Sequence, residues 1–259
     1  MFPILNIGPL VLQTSGLLIL AGIWLGITIS EKSLPKITRL ISASNLYNLV
    51  FLSLLAGLIG GRFIFVLLHP EAFRGNWISA FIPNTQMFDV SGGLIIALIA
   101  ALVYSQQKHL PFWATLDSLT PMLAVISIFI GLANLASGNA YGTPTNLPWG
   151  IELWGATRHP TQIYHILSAM VILWLIIPGK TIHPYPSGIR FLIFLSCTSF
   201  ILLLIDTFHG EGALILDRFR QVQLFALVIL GISVHQIFKR KNAVRSEEHT
   251  SELQSRQSI

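Results

Sequence analysis

The residues able to do chemistry gather in five short stretches of a 259-residue chain. Asp206-Thr207-Phe208-His209-Gly210-Glu211-Gly212 sets a carboxylate and an imidazole one helical turn apart, where they can pair. A carboxylate-supported imidazole suits a general base or an anion-binding cation. A solvated pair at a helix end is the plainer alternative. Arg158-His159-Pro160-Thr161-Gln162-Ile163-Tyr164-His165 puts Pro160 in the first turn of a helix, with Gln162 and His165 one turn apart. Its two histidines lack the HxxxH spacing of a metal pair, which argues against zinc. The alternative is a capped interfacial helix start with a tyrosine anchor.

The other three stretches are binding candidates. From Gly131 to Gly142 the sequence GLANLASGNAYG replaces large apolar residues with small and amide ones. If a helix runs through it, Asn134, Ser137 and Tyr141 form a polar stripe facing a cavity, or else a helix-packing stripe. In Phe88-Asp89-Val90-Ser91-Gly92-Gly93, Ser91 fits an N-cap, and amides near Gly92 and Gly93 can meet a phosphate. A capped helix start explains the same residues. Gly60-Gly61-Arg62 lies inside an apolar run. The glycines admit a neighbouring helix, and Arg62 can hold an anionic headgroup or serve a structural pairing. Cys197 reads as a buried, unreactive thiol, and His183-Pro184-Tyr185-Pro186 as a stiff connector.

The elements that position these residues must be membrane helices. The chain is 53% hydrophobic and 10% charged, with a mean hydropathy of +0.69. Soluble domains carry roughly 25% charged residues, so a soluble globular class is excluded. A single cysteine excludes a disulfide framework and a Cys-rich metal site. The net charge of +5 is spread between apolar runs and gives no nucleic-acid signal. We expect an all-α, polytopic integral membrane protein with about seven transmembrane helices. The spans are Leu10–Ile29, Leu46–Leu68, Val90–Tyr104, Leu119–Leu135, Gln162–Ile177, Ile189–Ile205 and Val222–Phe238. The third to fifth are short and flanked by Gly, Pro and polar residues, as tilted or broken spans are. The first reads as a retained span, not a signal peptide.

Orientation follows from Lys and Arg. One set of loops holds Lys32, Lys36, Arg39, Lys108, Lys180, Arg190, Lys239, Arg240 and Lys241. The other holds Arg74, Arg158, Arg218 and Arg220. The first set should be cytoplasmic, with the N-terminus outside and the C-terminus inside. Ser91 and the stretches near residues 134, 158 and 206 then share the outer side. The polar string RSEEHTSELQS at 245–255 resembles a translated sequencing adapter. Residues 1–244 are therefore read as one membrane-embedded domain, and 245–259 as a non-native tail. The natural C-terminus is then missing or lies near Val244.

The order of motifs resembles the prolipoprotein diacylglyceryl transferases of bacterial inner membranes. IGPLVLQTSGLL, GGRFIFVLLHPEAF, SGGLI, GLANLASGNAYG, NLPWG and RHPTQIYH carry the likeness from Ile7 to about Phe238, RHPTQIY most specifically. The resemblance implies seven spans, an external N-terminus and a multi-pass location in the inner membrane. It implies transfer of the diacylglyceryl group of phosphatidylglycerol, or a similar anionic phospholipid, to the lipobox cysteine of a prolipoprotein. Glycerol phosphate leaves. The signal peptide is the protein partner, and no metal or organic cofactor is implied.

Several family positions differ. A histidine before the Gly-Gly of the third span is Ser91 here. The arginine before the family's Gly-Asn pair aligns with Gly131, its glycine with Ala133, and the asparagine is kept as Asn134. A second asparagine aligns with Ser137 and an acidic residue with Asn139. His-Trp-Tyr of the first span is Gln13-Thr14-Ser15, and an arginine of the sixth aligns with Leu202. A glutamate and a second arginine align with Asp206 and His209, and the glutamate after the RHPSQLY-type string is His165. Neither glycine nor leucine replaces a bidentate arginine.

The expected catalytic residues are accordingly His209, His165 and Asp206. The expected substrate-binding residues are Arg62, Ser91, Gly92, Gly93, Gly131, Asn134, Asn139, Arg158, Gln162 and Tyr164. An inactive relative that binds lipid or signal peptide is the alternative, because the missing groups are those a transition state needs. A small transporter fits less well, since no inverted repeat is visible.

Overall fold

The computed structural model describes residues 4–7, 10–76, 78–79, 87–177, 186–210, 214–215 and 219–257. Lys180, His183–Tyr185, Glu211, Gly212 and Arg218 lie outside them. Seven helices dominate: α1 (Thr14–Ile37), α2 (Ala43–Leu68), α3 (Val90–Gln107), α4 (Phe112–Ser137), α5 (Thr161–Ile176), α6 (Ile189–Ile205) and α7 (Gln221–Gln257). Three antiparallel hairpins accompany them: β1–β2 (Ile4–Ile7, Leu10–Gln13), β3–β4 (Ile151–Leu153, Ala156–Arg158) and β5–β6 (Leu214–Ile215, Phe219–Arg220).

Among the described residues, six helices are long and apolar enough to cross a membrane, and α5 is apolar but only 16 residues long. Their outer faces are strongly apolar, with Trp174 77% exposed. The protein is an all-α, multi-pass membrane protein. Several boundaries differ from expectation. Leu10–Gln13 is a strand rather than the start of the first span, and α1 begins at Thr14. The third span, α3, reaches 18 residues. The fourth, α4, reaches 26 and runs through Pro121. The backbone of the polar tail continues α7.

The described contacts divide into two compact units, residues 39–115 and residues 1–38 with 116–259. In the first, α2 and α3 pack antiparallel through glycines. A Cβ on Gly57 or Gly60 would meet Ala97 or Ile96 within about 3 Å, and one on Gly92 would meet Ile64. This is small-residue packing, which brings helices together where lipid gives no hydrophobic drive.

In the second unit, Gly22 and Gly26 of α1 lie against Phe129 and Met122 of α4. Pro121 cannot continue the ladder of α4. Nearby, the Met122 amide donates to the buried Ser30 hydroxyl of α1 at 2.9 Å. Ala124, Ile172, Ile176 and Phe194 form a core between α4, α5 and α6, with Cys197 packed against it. The buried carboxylate of Asp117 on α4 accepts the Gly188 and Phe191 amides at 2.6 and 2.9 Å. It thereby caps α6 from a distance of more than 70 residues in sequence. Ser196 of α6 donates to Ser233 of α7 at 2.7 Å.

Candidate active site

The site is built around an extended segment, Tyr141–Thr145. It follows α4, and the end of α4 is set by a left-handed glycine. Gly138 has φ 76°, and the Asn139 amide returns to the Asn134 carbonyl at 3.0 Å. That is a Schellman stop. The helix therefore does not carry Asn134, Ser137 and Tyr141 on one face. Ser137 turns its hydroxyl back onto the Ala133 carbonyl at 2.9 Å, and Tyr141 lies beyond the helix.

Hydrogen bonds hold the segment on both sides. Toward α5, Gly142 donates to His159 at 3.2 Å and His159 returns a bond to Thr143 at 3.0 Å. Toward the end of α6, Thr143 donates to Phe208 at 2.8 Å and Gly210 donates to Tyr141 at 3.1 Å. The ends of α4 and α6 and the start of α5 are thus joined through one strand-like piece. The β3–β4 hairpin beside it turns on Trp154 and Gly155, both at positive φ, as a two-residue hairpin requires.

Two buried side chains at the start of α5 hold the segment's approach. Thr161 donates to the Ala140 carbonyl at 2.6 Å, and Gln162 Nε2 donates to the Asn139 carbonyl at 2.8 Å. Pro160 precedes the helix as its N-cap residue instead of occupying the first turn. Arg158 spends Nε on the Leu153 carbonyl and Nη1 on the Gly142 carbonyl, and its guanidinium lies 4.8 Å from the Tyr141 ring centroid. Tyr164 takes the Trp149 indole N–H on its hydroxyl at 2.9 Å and lies 3.4 Å from His159 Nδ1.

The expected catalytic trio comes together here. The rings of His165 and His209 have centroids 5.6 Å apart. Asp206 is 7% exposed and sits in the 3-10 turn Asp206–Phe208 that closes α6. The expected Asp206–His209 side-chain pair is not formed. The turn connects them through the backbone, His209 N to Asp206 O at 3.1 Å. The ion partner of Asp206 is Arg220, with Nη1 3.9 Å from Oδ2. Arg220 also donates to the Asp206 carbonyl at 2.7 Å and to the His209 carbonyl at 3.0 Å. Sequence reading counted Arg220 only as a loop charge. Its signal was its place directly before an apolar helix, but nothing in the spacing links residue 220 to residue 206.

Among the described residues, three buried polar atoms in this region have no hydrogen-bond partner: Gln162 Oε1, Asp206 Oδ2 and His209 Nδ1. Unpaired buried groups of this kind are costly, and they concentrate where a ligand or a reaction uses them. The chemistry within reach is proton acceptance by imidazole and orientation by a carboxylate and a guanidinium. Among the described residues no group of three or more His, Cys, Asp or Glu is placed to hold a metal ion.

Gly131 is buried, and a Cβ there would meet Ile166 Cγ1 at 2.6 Å. It allows close packing of α4 on α5. Asn134 is half-buried and Asn139 is exposed, and each contributes a backbone carbonyl to the turn or the clamp.

The remaining expected residues belong to the unit of residues 39–115. Arg62 donates from Nη1 to the Met87 carbonyl at 2.6 Å and from Nη2 to the Ser79 carbonyl at 2.8 Å. Its guanidinium lies 5.5 Å from the Phe73 ring centroid. The N-cap of α3 is Asp89, not Ser91, and its carboxylate accepts the Gly92 amide. The expected phosphate at that amide is thus replaced by the chain's own carboxylate, which the positive helix start equally favours. Gly92 and Gly93 are buried against α2, and Ser91 is exposed.

The family model for prolipoprotein diacylglyceryl transferase matches residues 3–238. The chain belongs to that family. Relatives named phosphatidylglycerol–prolipoprotein diacylglyceryl transferase include one from Finegoldia magna, 28% identical over 90% of this chain and 93% of its own length. One from Clostridioides difficile is 26% identical over 88% and 91%. One from Bordetella parapertussis is 27% identical over 71% and 72%. The family match reaches into all seven helices and ends at residue 238, within α7.

Proposed function

We propose that this protein transfers the diacylglyceryl group of phosphatidylglycerol to the cysteine thiol of a prolipoprotein signal peptide. The observation that carries the reading is the meeting of His165, His209, Asp206 and Arg220 where α5 starts and α6 ends, in a chain of this family. The thiol gives its proton to an imidazole, and the thiolate attacks the glycerol carbon that bears the phosphate. A carbon–sulfur bond forms, the carbon–oxygen bond to phosphate breaks, and glycerol phosphate departs with the bonding pair. Because that leaving group is already a stabilised anion, the demanding proton transfer is the one at sulfur.

In this reading His165 and His209 are the proton acceptors, and Asp206 fixes the turn that carries His209. Gln162 offers a buried acceptor beside them. Arg158, Tyr164 and the Asn134–Asn139 turn hold the segment that frames the site. Arg62, Ser91, Gly92 and Gly93 support the α2–α3 unit. The distribution of Lys and Arg supports an external N-terminus and a cytoplasmic C-terminus in the bacterial inner membrane. The test is release of glycerol phosphate from headgroup-labelled phosphatidylglycerol by the full chain in detergent. Release that requires a lipobox peptide with cysteine, and fails with serine in its place, supports the reading. Release equal with either peptide contradicts it.

A further inference from the structure

Arg220, on β6, brings a guanidinium to the end of α6. Helix ends leave carbonyl groups without partners. Here Asp206 O, which also accepts the His209 amide, and His209 O just beyond the turn accept from the two terminal nitrogens of one residue, Arg220, at 2.7 and 3.0 Å. The same guanidinium lies 3.9 Å from the buried Asp206 carboxylate. A cation at a helix C-terminus is favourable, and a rigid fork fixes the distance between two acceptors as a lysine cannot. The backbone held in this way is the one that carries His209. Its Nδ1 is buried without a hydrogen-bond partner among the described residues, and its ring is tilted against that of His165.

We infer that Arg220 is a positioning residue for the transfer reaction: its guanidinium clamps the Asp206–His209 turn and so aims the His209 imidazole at the site. The inference rests on the proposed function, and it adds a residue outside both histidine-bearing motifs. A free His209 turn would leave the imidazole without a fixed direction relative to His165, whose ring centroid lies 5.6 Å away. Arg220 acts through the turn without touching the reacting atoms.

Two measurements on R220A and R220K test this. In the transfer assay R220A should lower kcat about 10²-fold, the scale set by lost orientation, with KM changed less than threefold. R220K should recover only a small part of the loss, because one ammonium cannot bridge both carbonyls. Added guanidinium should restore R220A partially. The second measurement needs no turnover. Diethylpyrocarbonate labelling of His209, mapped by mass spectrometry, should rise several-fold in R220A while labelling of His235 stays constant. Unchanged His209 labelling, or a kcat within twofold of the parent, overturns the clamp. Failure of the parent chain to transfer lipid overturns the proposed function, and the labelling still decides whether the clamp exists.

Discussion

The imidazole of His165, from the first turn and a half of α5, lies 5.6 Å ring to ring from that of His209, which follows α6. These residues are 44 positions apart in sequence. They are joined by the Tyr141–Thr145 segment, which bonds to the α5 start on one edge and to the α6 end on the other. The pair is thus a product of loop pairing as much as of helix packing.

If the pair supplies the base, H165Q and H209Q should each lower kcat by about 10²–10⁴-fold, the usual range for a general base. Glutamine keeps polarity and approximate size, so folding should be preserved. The initial rate of thiol alkylation measures it. Rates within twofold of the parent for both variants would remove the histidines from the mechanism.

Gly131 should not tolerate a side chain. A Cβ there would stand 2.6 Å from Ile166 Cγ1, and overpacking of this kind costs about 1–3 kcal/mol. G131A should lower the thermal midpoint in detergent, and G131R should lower it further. An unchanged midpoint in G131A would mean that α4 and α5 are more loosely packed than described.

Asp117 should act as a remote cap for α6. D117A strands the amides of Gly188 and Phe191 at a buried site. The expected cost is about 2–3 kcal/mol, the scale for a buried hydrogen bond to a charged group. D117N keeps one acceptor and should fall between. Equal stability of all three proteins, by thermal unfolding in detergent, would refute the capping role.

The clamp at the start of α5 should couple to activity. T161V removes the hydroxyl that holds Ala140 and should cost about 1–2 kcal/mol, because it leaves a carbonyl unpartnered. The framing segment then loosens, and transfer should slow more than stability alone explains. A variant with full rate and lowered stability would make Thr161 purely structural.

Much of this was legible in the sequence. Apolar runs located all seven helices, though not all of their ends, because burial of backbone bonds in lipid leaves a spanning segment little freedom. Gly60-Gly61 announced the close approach of α3. Residue type and position singled out His165, His209 and Asp206, and the first two lie with ring centroids 5.6 Å apart. What failed was local. Ser91 looked like a cap, but a carboxylate two residues earlier binds the helix amides better. Asn134, Ser137 and Tyr141 looked like a stripe, but Gly138 ends the helix between them. Arg220 was not legible as a partner of Asp206, because a chain reversal outside any helical period brings them together.

The most direct measurement is mass spectrometry of a single-cysteine lipobox peptide incubated with the full chain and phosphatidylglycerol in detergent. The account predicts a diacylglyceryl adduct on the cysteine sulfur, formed by the parent and lost in the H165Q/H209Q double variant. No adduct from a preparation that binds both substrates, or an adduct that persists undiminished in the double variant, would contradict it.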